Sequence, residues 1–250
     1  MKKEQIGIQL WSVREAVKAD YAGTLKSLAT AGFKTVEPFA GWGGISAAEL
    51  KDLLDANGLN AVSTHTGWNA FNDDYDRLVA DARTLGLTHL VLAATPRDRQ
   101  RSKDDCLALG KDYQAIGEKV KGDGFQFGIH NHAWEWEPCD GVPAIQWTLE
   151  PTSPDVVKFE LDTFHTWETH TDPEEYIKRF ADRIELLHFK DGTREGQTEF
   201  GHGDLNFARY RDAGEAAGVR YFILEYGPQH EDQVDRVADG YQRAAALCTA

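Results

Sequence analysis

The chain has little with which to build a disulfide or a thiolate metal site. Its three cysteines, Cys106, Cys139 and Cys248, lie far apart among 250 residues. An odd, scattered set of this kind excludes a disulfide framework and a Cys-x-x-Cys metal site. Basic charge is also scarce: 27 lysines and arginines stand against 41 aspartates and glutamates, a formal net charge of -14. A chain so acidic repels phosphate backbones, which argues against a nucleic-acid partner. Long apolar runs are missing too. The opening MKKEQIGIQLWSV has no extended apolar stretch and passes directly into a strand pattern, so neither a signal peptide nor a membrane span is expected, and the cytoplasm is the expected compartment. The first apolar run, IGIQLWSVREAV, is followed by no glycine-rich turn, which sets aside a doubly wound dinucleotide-binding sheet. No linker or low-complexity tract divides the chain, so residues 1–250 are read as one domain, long enough to bury a sizeable core.

What is present is a rhythm. Eight short runs rich in β-branched and aromatic residues occur at 6–10, 34–39, 60–65, 88–93, 125–130, 156–161, 184–189 and 221–226. Between them lie segments with helical spacing. One, SAAELKDLLDANG, opens on a capping box from Ser46 to Glu49 and closes at Gly58. Another ends at Gly32, and DPEE places Pro173 just after an Asp cap. Eight strand–helix repeats in this length predict an α/β fold, a single (β/α)8 TIM barrel, with its site at the C-terminal ends of the strands.

Unusual residues collect at those ends. Eight of nine histidines, and every tryptophan except Trp147, fall at or just after a predicted strand end. Indole faces suit the C–H faces of a sugar, while polar groups fix its hydroxyls, so a small-molecule carbohydrate is the expected partner. Four strand ends stand out. The fifth closes on His130-Asn131-His132, with Trp134 and Trp136 following as a wall. The sixth places Asp162 at its tip and His165 beyond. The seventh carries His188 and Lys190 on one side by alternation, and the eighth ends in Glu225. Nitrogen ligands with carboxylates suit one divalent ion: Mn, Co, Zn, Fe or Mg. A hydrogen-bonded network without metal is the competing reading.

FELDTFH, LLHFKD, GHGDLNF and ILEY, in this order and spacing, resemble the xylose isomerase-like TIM barrels, and the HNH segment resembles the branch of sugar phosphate isomerases/epimerases. The resemblance implies a metal ligand set in which Asp162, His188 and Glu225 match the family's last three ligands. The family's first ligand, a glutamate, is replaced here. Alignment puts His130 in its place, with His132 as the alternative. It also implies substrate contacts from His165, Glu37 and His65, while the rim tryptophans Trp11 and Trp68 are expected against the ligand.

Glu160 points inward beside Asp162 and is expected to pair with Lys158 or Lys190 for structural reasons. The basic run PRDRQRSKDD at 96–105 reads as a solvated loop. Glu135 and Glu137 are open between loop and ligand roles. The leading functional reading is a metal-dependent sugar isomerase or epimerase working on a keto sugar or related polyol through an enediolate. Glu225 is its base, with His130, His132 or Lys190 as the second catalytic group. A dehydratase or lyase on an inosose or 3-keto-glycoside is the alternative, since imidazole can deliver a proton to a departing hydroxyl. A non-catalytic sugar-binding barrel is the alternative of a different class. A nuclease is disfavoured by charge, and a homo-oligomer is compatible with the sequence.

Overall fold

The computed structural model describes residues 1–248. The eight predicted runs become the staves of a barrel: Ile6–Gln9, Thr35–Glu37, a broken third strand, His89–Leu92, Gln126–His130, Val157–Asp162, Leu186–Phe189 and Tyr221–Leu224. All are parallel, and each pairs with its sequence neighbour, the first also pairing with the eighth. The third strand closes the ring and is split into Asn60–Ala61, paired to the second strand, and His65–Thr66, paired to the fourth. The split has a local cause. Asn60 and Val62 donate to Lys34 and Val36, but His65 donates to Pro38, so the register slips by one residue. An extra residue of this kind is a β-bulge, a device that re-aims side chains at barrel rims.

Alternation divides the strand residues into two cores. Ile8, Val36, Leu90, Phe127, Ile129, Phe159, Leu161, Leu187, Phe189, Phe222 and Leu224 join one continuous apolar cluster, the layer between strands and helices. Val91, Leu186 and Ile223, with Tyr221 against them, form a separate apolar cluster. These residues alternate with the outward set, so they plug the barrel's interior. Above them the inward residues are polar: Gln9, Glu37, His65, His130, Glu160, Asp162, His188 and Glu225, all buried. Glycine makes room at the plug. A Cβ on Gly128 would lie 3.3 Å from Val91 Cγ2, and one on Gly7 would lie 3.2 Å from both Ile223 Cγ1 and Thr35 Cγ2.

The helices follow the same logic. Ala47–Asn57 has both halves of its capping box and ends at Gly58 in the left-handed region, φ 62°. Pro173–Arg179 begins with Pro at its first position behind the Asp172 cap. Gln233–Ala246 turns Val237, Tyr241 and Ala244 to the core at i, i+4 and i+7. The longest helix runs from Lys103 to Gly122 and packs on the barrel through Leu109, Tyr113 and Val120. No helix among the described residues is long and apolar enough to cross a membrane.

Phe127 is fully buried, packed against Phe71 and Tyr113. Phe127→Ala should therefore cost about 3–5 kcal/mol of unfolding free energy, read from urea denaturation. A loss under 1 kcal/mol would mean that this layer does not hold the barrel together.

Candidate metal and substrate site

The end of the fifth strand is held from both sides. Asn131 Oδ1 accepts from the Asp162 backbone N–H at 2.9 Å, and its Nδ2 donates to Thr166 Oγ1 at 3.4 Å. The HNH asparagine therefore stitches the fifth strand to the sixth. His132 N–H donates to Glu135 Oε2 at 2.8 Å, while Glu135 Oε1 accepts from Thr95 N–H at 3.3 Å. Buried Glu135 thus ties the loops after the fourth and fifth strands together. Of the two carboxylates left open by the sequence, Glu135 is a loop clamp. Glu137 is exposed beside Arg97.

At the strand tips, one donor atom each from His130, Asp162, His188 and Glu225 lies within 4.8 Å of the other three, and all four residues are buried. His130, not His132, joins this group. Asp162 caps the short helix Thr163–Trp167, accepting from His165 N–H at 2.7 Å through Oδ1. Its other oxygen is buried with no hydrogen-bond partner. A buried acceptor without a donor needs an explanation, and a cation among two carboxylates and two imidazoles supplies one. The donor set fits a divalent metal.

A second group lies below the first. Glu160 faces three imidazoles: its Oε2 is 2.6 Å from His65 Nε2, 3.3 Å from His188 Nε2 and 3.4 Å from His130 Nδ1. This corrects the expectation from sequence, since Glu160 pairs with neither lysine. Lys158 binds Glu185 at 2.9 Å instead, and Lys190 reaches His165 Nε2 at 3.1 Å and Glu225 Oε2 at 3.4 Å. The signal for Glu160 was its place two residues before Asp162 on one strand face; its three partners on other strands were not visible in sequence. Glu37 is fully buried behind this group. Its Oε2 accepts from Gln9 Nε2 at 2.9 Å and lies 2.7 Å from His188 Nε2.

These contacts set the charges. Burial opposes charging His188, but Glu160 and Glu37 outweigh it and hold the imidazole well above its ordinary value. His65 is raised in the same way, Glu37 and Glu160 overcoming burial. Burial also resists the Glu225 carboxylate, yet Lys190 and His188 pull it well below the usual carboxylate range. His132 moves the other way: burial, reinforced by His165 and Lys190, pushes it down to about 3, so its ring is neutral near pH 7. Burial raises Asp162.

A cavity of about 430 Å³ opens onto the group, within the usual range for small-molecule sites. Trp11, Phe39, His65, His130, His132 and Glu225 are among its walls. Trp11 stands 47 % exposed, edge-on to Phe39 at 5.2 Å. The other expected substrate contacts sit elsewhere. Glu37 is sealed behind His188. Trp68 is half-buried between Tyr113 and Arg99. His165 is held between Glu168, at 2.5 Å, and Lys190. Trp134 stacks on His132 with ring centroids 4.2 Å apart, whereas Trp136 is not a wall but a core residue against Tyr176. In the 96–105 loop, Arg97 and Arg99 lie over the Trp134 and Trp68 rings.

A parallel eightfold barrel with a polar, imidazole-rich floor and an aromatic rim defines the class. Its family follows: the model for the xylose isomerase-like TIM barrel matches residues 25–247, and the chain belongs to that family. Two sugar phosphate isomerase/epimerase structures from Parabacteroides distasonis share the fold. One has a TM-score of 0.86 at 22% identity, over 98% of this chain and 95% of its own. The other has 0.85 at 24%, over 96% and 97%. A family 2 AP endonuclease from Brucella melitensis superposes at 0.72 with 17% identity, over 92% and 95%. No curated protein sequence matches the chain.

Glu135 gives a test of the site's electrostatics. Burial pushes its carboxyl up from 4.5 to about 7 against the pull of its backbone donors. The folded state then holds a proton that the unfolded chain has released, and stability is lost as pH rises through this window. Relative to the parent, Glu135→Gln should gain on the order of 3 kcal/mol between pH 5 and pH 8.5, measured by urea denaturation at both. A difference constant across that range would mean Glu135 ionises at its ordinary value.

Proposed function

We propose that the protein is a divalent-metal-dependent sugar isomerase or epimerase acting beside a carbonyl of a keto sugar or related polyol. The observation that carries this reading is the convergence of His130, Asp162, His188 and Glu225 at the floor of a sugar-sized cavity. Membership of the xylose isomerase-like family and the names of the Parabacteroides neighbours support it. Those four residues would hold the ion. When bound, it supplies positive charge for a carbonyl oxygen and its neighbouring hydroxyl.

The chain's own groups move the protons. Glu225 is ionised, held so by Lys190 and His188, and it lines the cavity, where it takes the C–H proton beside the carbonyl and leaves the substrate as an enediolate. Carboxylates perform this role when the developing oxyanion is stabilised. His132 faces the same cavity from the loop after the fifth strand. A neutral imidazole is suited to passing a proton between adjacent oxygens, because it can donate from one nitrogen and accept at the other. Because the fifth strand has imidazole in place of the family's carboxylate, transfer between oxygens fits this floor better than two carboxylates working on opposite faces. Trp11 offers an indole face to the sugar's C–H surface.

A lyase outcome has one observation in its favour. Lys190 is a buried donor 3.4 Å from Glu225, and in this reading it would protonate the departing oxygen, the hydroxyl of an inosose or the aglycone oxygen of a 3-keto-glycoside. Product analysis separates the two outcomes: isomerisation conserves the substrate's mass, whereas elimination releases one water from an inosose or the aglycone alcohol from a 3-keto-glycoside.

Keto sugars and inososes incubated in D₂O should take up deuterium at the carbon beside the carbonyl. Glu225→Gln should lower exchange by roughly 10²–10⁴-fold. Exchange at the parental rate, with metal content unchanged, would remove Glu225 from the role of base. His188→Ala should strip the protein of metal in elemental analysis. A variant retaining the parental amount would refute the ligand assignment.

A further inference from the structure

We propose that the barrel offers a divalent ion a second position, one strand repeat deeper than the first, formed by His65, His130, His188 and Glu160, and that the two positions exclude each other. The four donor atoms of this lower set also lie within 4.8 Å of one another, and all four residues are buried. The His65, His130 and His188 rings form a near-equilateral triangle, with centroids 4.6, 4.6 and 4.9 Å apart. Glu160 Oε2 sits within 3.4 Å of a nitrogen on each ring. Hydrogen bonding alone does not account for the group, because Glu160 Oε1 and His130 Nδ1 are buried with no partner. Buried polar atoms without a partner call for one, and an ion among these four residues would supply it.

The upper and lower sets share His130 and His188. His188 turns Nδ1 toward Glu225, at 3.0 Å, and Nε2 toward Glu37, at 2.7 Å, and Glu160, at 3.3 Å. The ring can therefore serve either position through a different nitrogen. Serving both at once would require it to lose both N–H protons, and an imidazole gives up the second only at high cost. One ion is held at a time.

The donors differ in kind. The upper set has two nitrogens and two carboxylates, and the lower has three nitrogens and one carboxylate. Carboxylate-rich sites suit Mg and Mn, while imidazole-rich sites suit Zn, Cu and Ni. Metal identity thus selects the position. Manganese takes the upper set, beside Asp162 and Glu225. Zinc takes the lower set, where it leaves Glu225 to Lys190, so it competes with the manganese form instead of replacing it. The upper position rests on the function proposed above; the lower does not.

The test measures Zn and Mn binding separately, by chelator competition and equilibrium dialysis, in the parent, His65→Ala and Asp162→Asn. His65→Ala should weaken Zn binding at least about tenfold and leave Mn binding unchanged, and Asp162→Asn should do the reverse. X-ray absorption on the unaltered protein should count three imidazoles around Zn and two around Mn, a readout that does not depend on any variant folding. Zn held as tightly by a folded His65→Ala as by the parent, or two imidazoles around both metals, overturns the lower position. Mn binding that survives Asp162→Asn refutes the upper ligand set and leaves the lower one standing.

Discussion

The rest of the structure depends on how the barrel neutralises carboxylates buried in its interior. Glu37, Glu160 and Glu225 lie with almost no exposure in a space that most folds fill with aliphatic side chains. An isolated buried charge is prohibitively costly, so each must find a partner. His188 meets all three, His65 meets Glu160, and Lys190 meets Glu225. Removing one member strands the others. The apolar cost of this arrangement falls on the outer layer, where Phe127, Phe159, Phe189 and Phe222 bury the surface that the barrel's interior does not.

The same pairing makes the floor chemically useful. Groups that compensate each other in pairs hold Glu225 ionised and His188 fixed before any ligand arrives, which is the preorganisation that charge-developing reactions need. His132 escapes the network. Its ring rests on Trp134, away from any carboxylate contact, and burial leaves it neutral. His130 is also pushed well below its ordinary value by burial, although Glu160 stands 3.4 Å away, whereas two carboxylates beside His188 and His65 outweigh burial and raise them. Asn131, between the two histidines, sews the strand ends so that His130 and Asp162 share a floor.

Much of the architecture was legible because it rests on local rules. Period-two alternation and the capping signals at Ser46, Gly58 and Pro173 are short-range, and they survive folding unchanged. The bulge in the third strand has no signature in the sequence, because a one-residue register slip leaves no mark in a run such as NAVSTH. The position of Trp136 after a strand end predicts a rim residue, yet it turns outward to Tyr176, since a loop's direction is decided by the helix it meets. The imidazole partners of Glu160 are invisible in the sequence, which reveals neighbours along a strand and not those across a barrel.

The sequence by itself determined the eightfold repeat, the end of the barrel that carries the reactive residues, and the grouping of Asp162, His188 and Glu225 at consecutive strand ends. Each of these follows from periodicity and from where a strand stops. Only the tertiary structure decided that His130 and not His132 joins them, that Glu37 and Glu160 stand behind His188, and which tryptophan faces the cavity. The physical reason is closure. Bending eight strands into a ring brings together residues as distant as Glu37 and His188, 151 positions apart, and which atoms then meet depends on strand register and stagger, which no local pattern encodes.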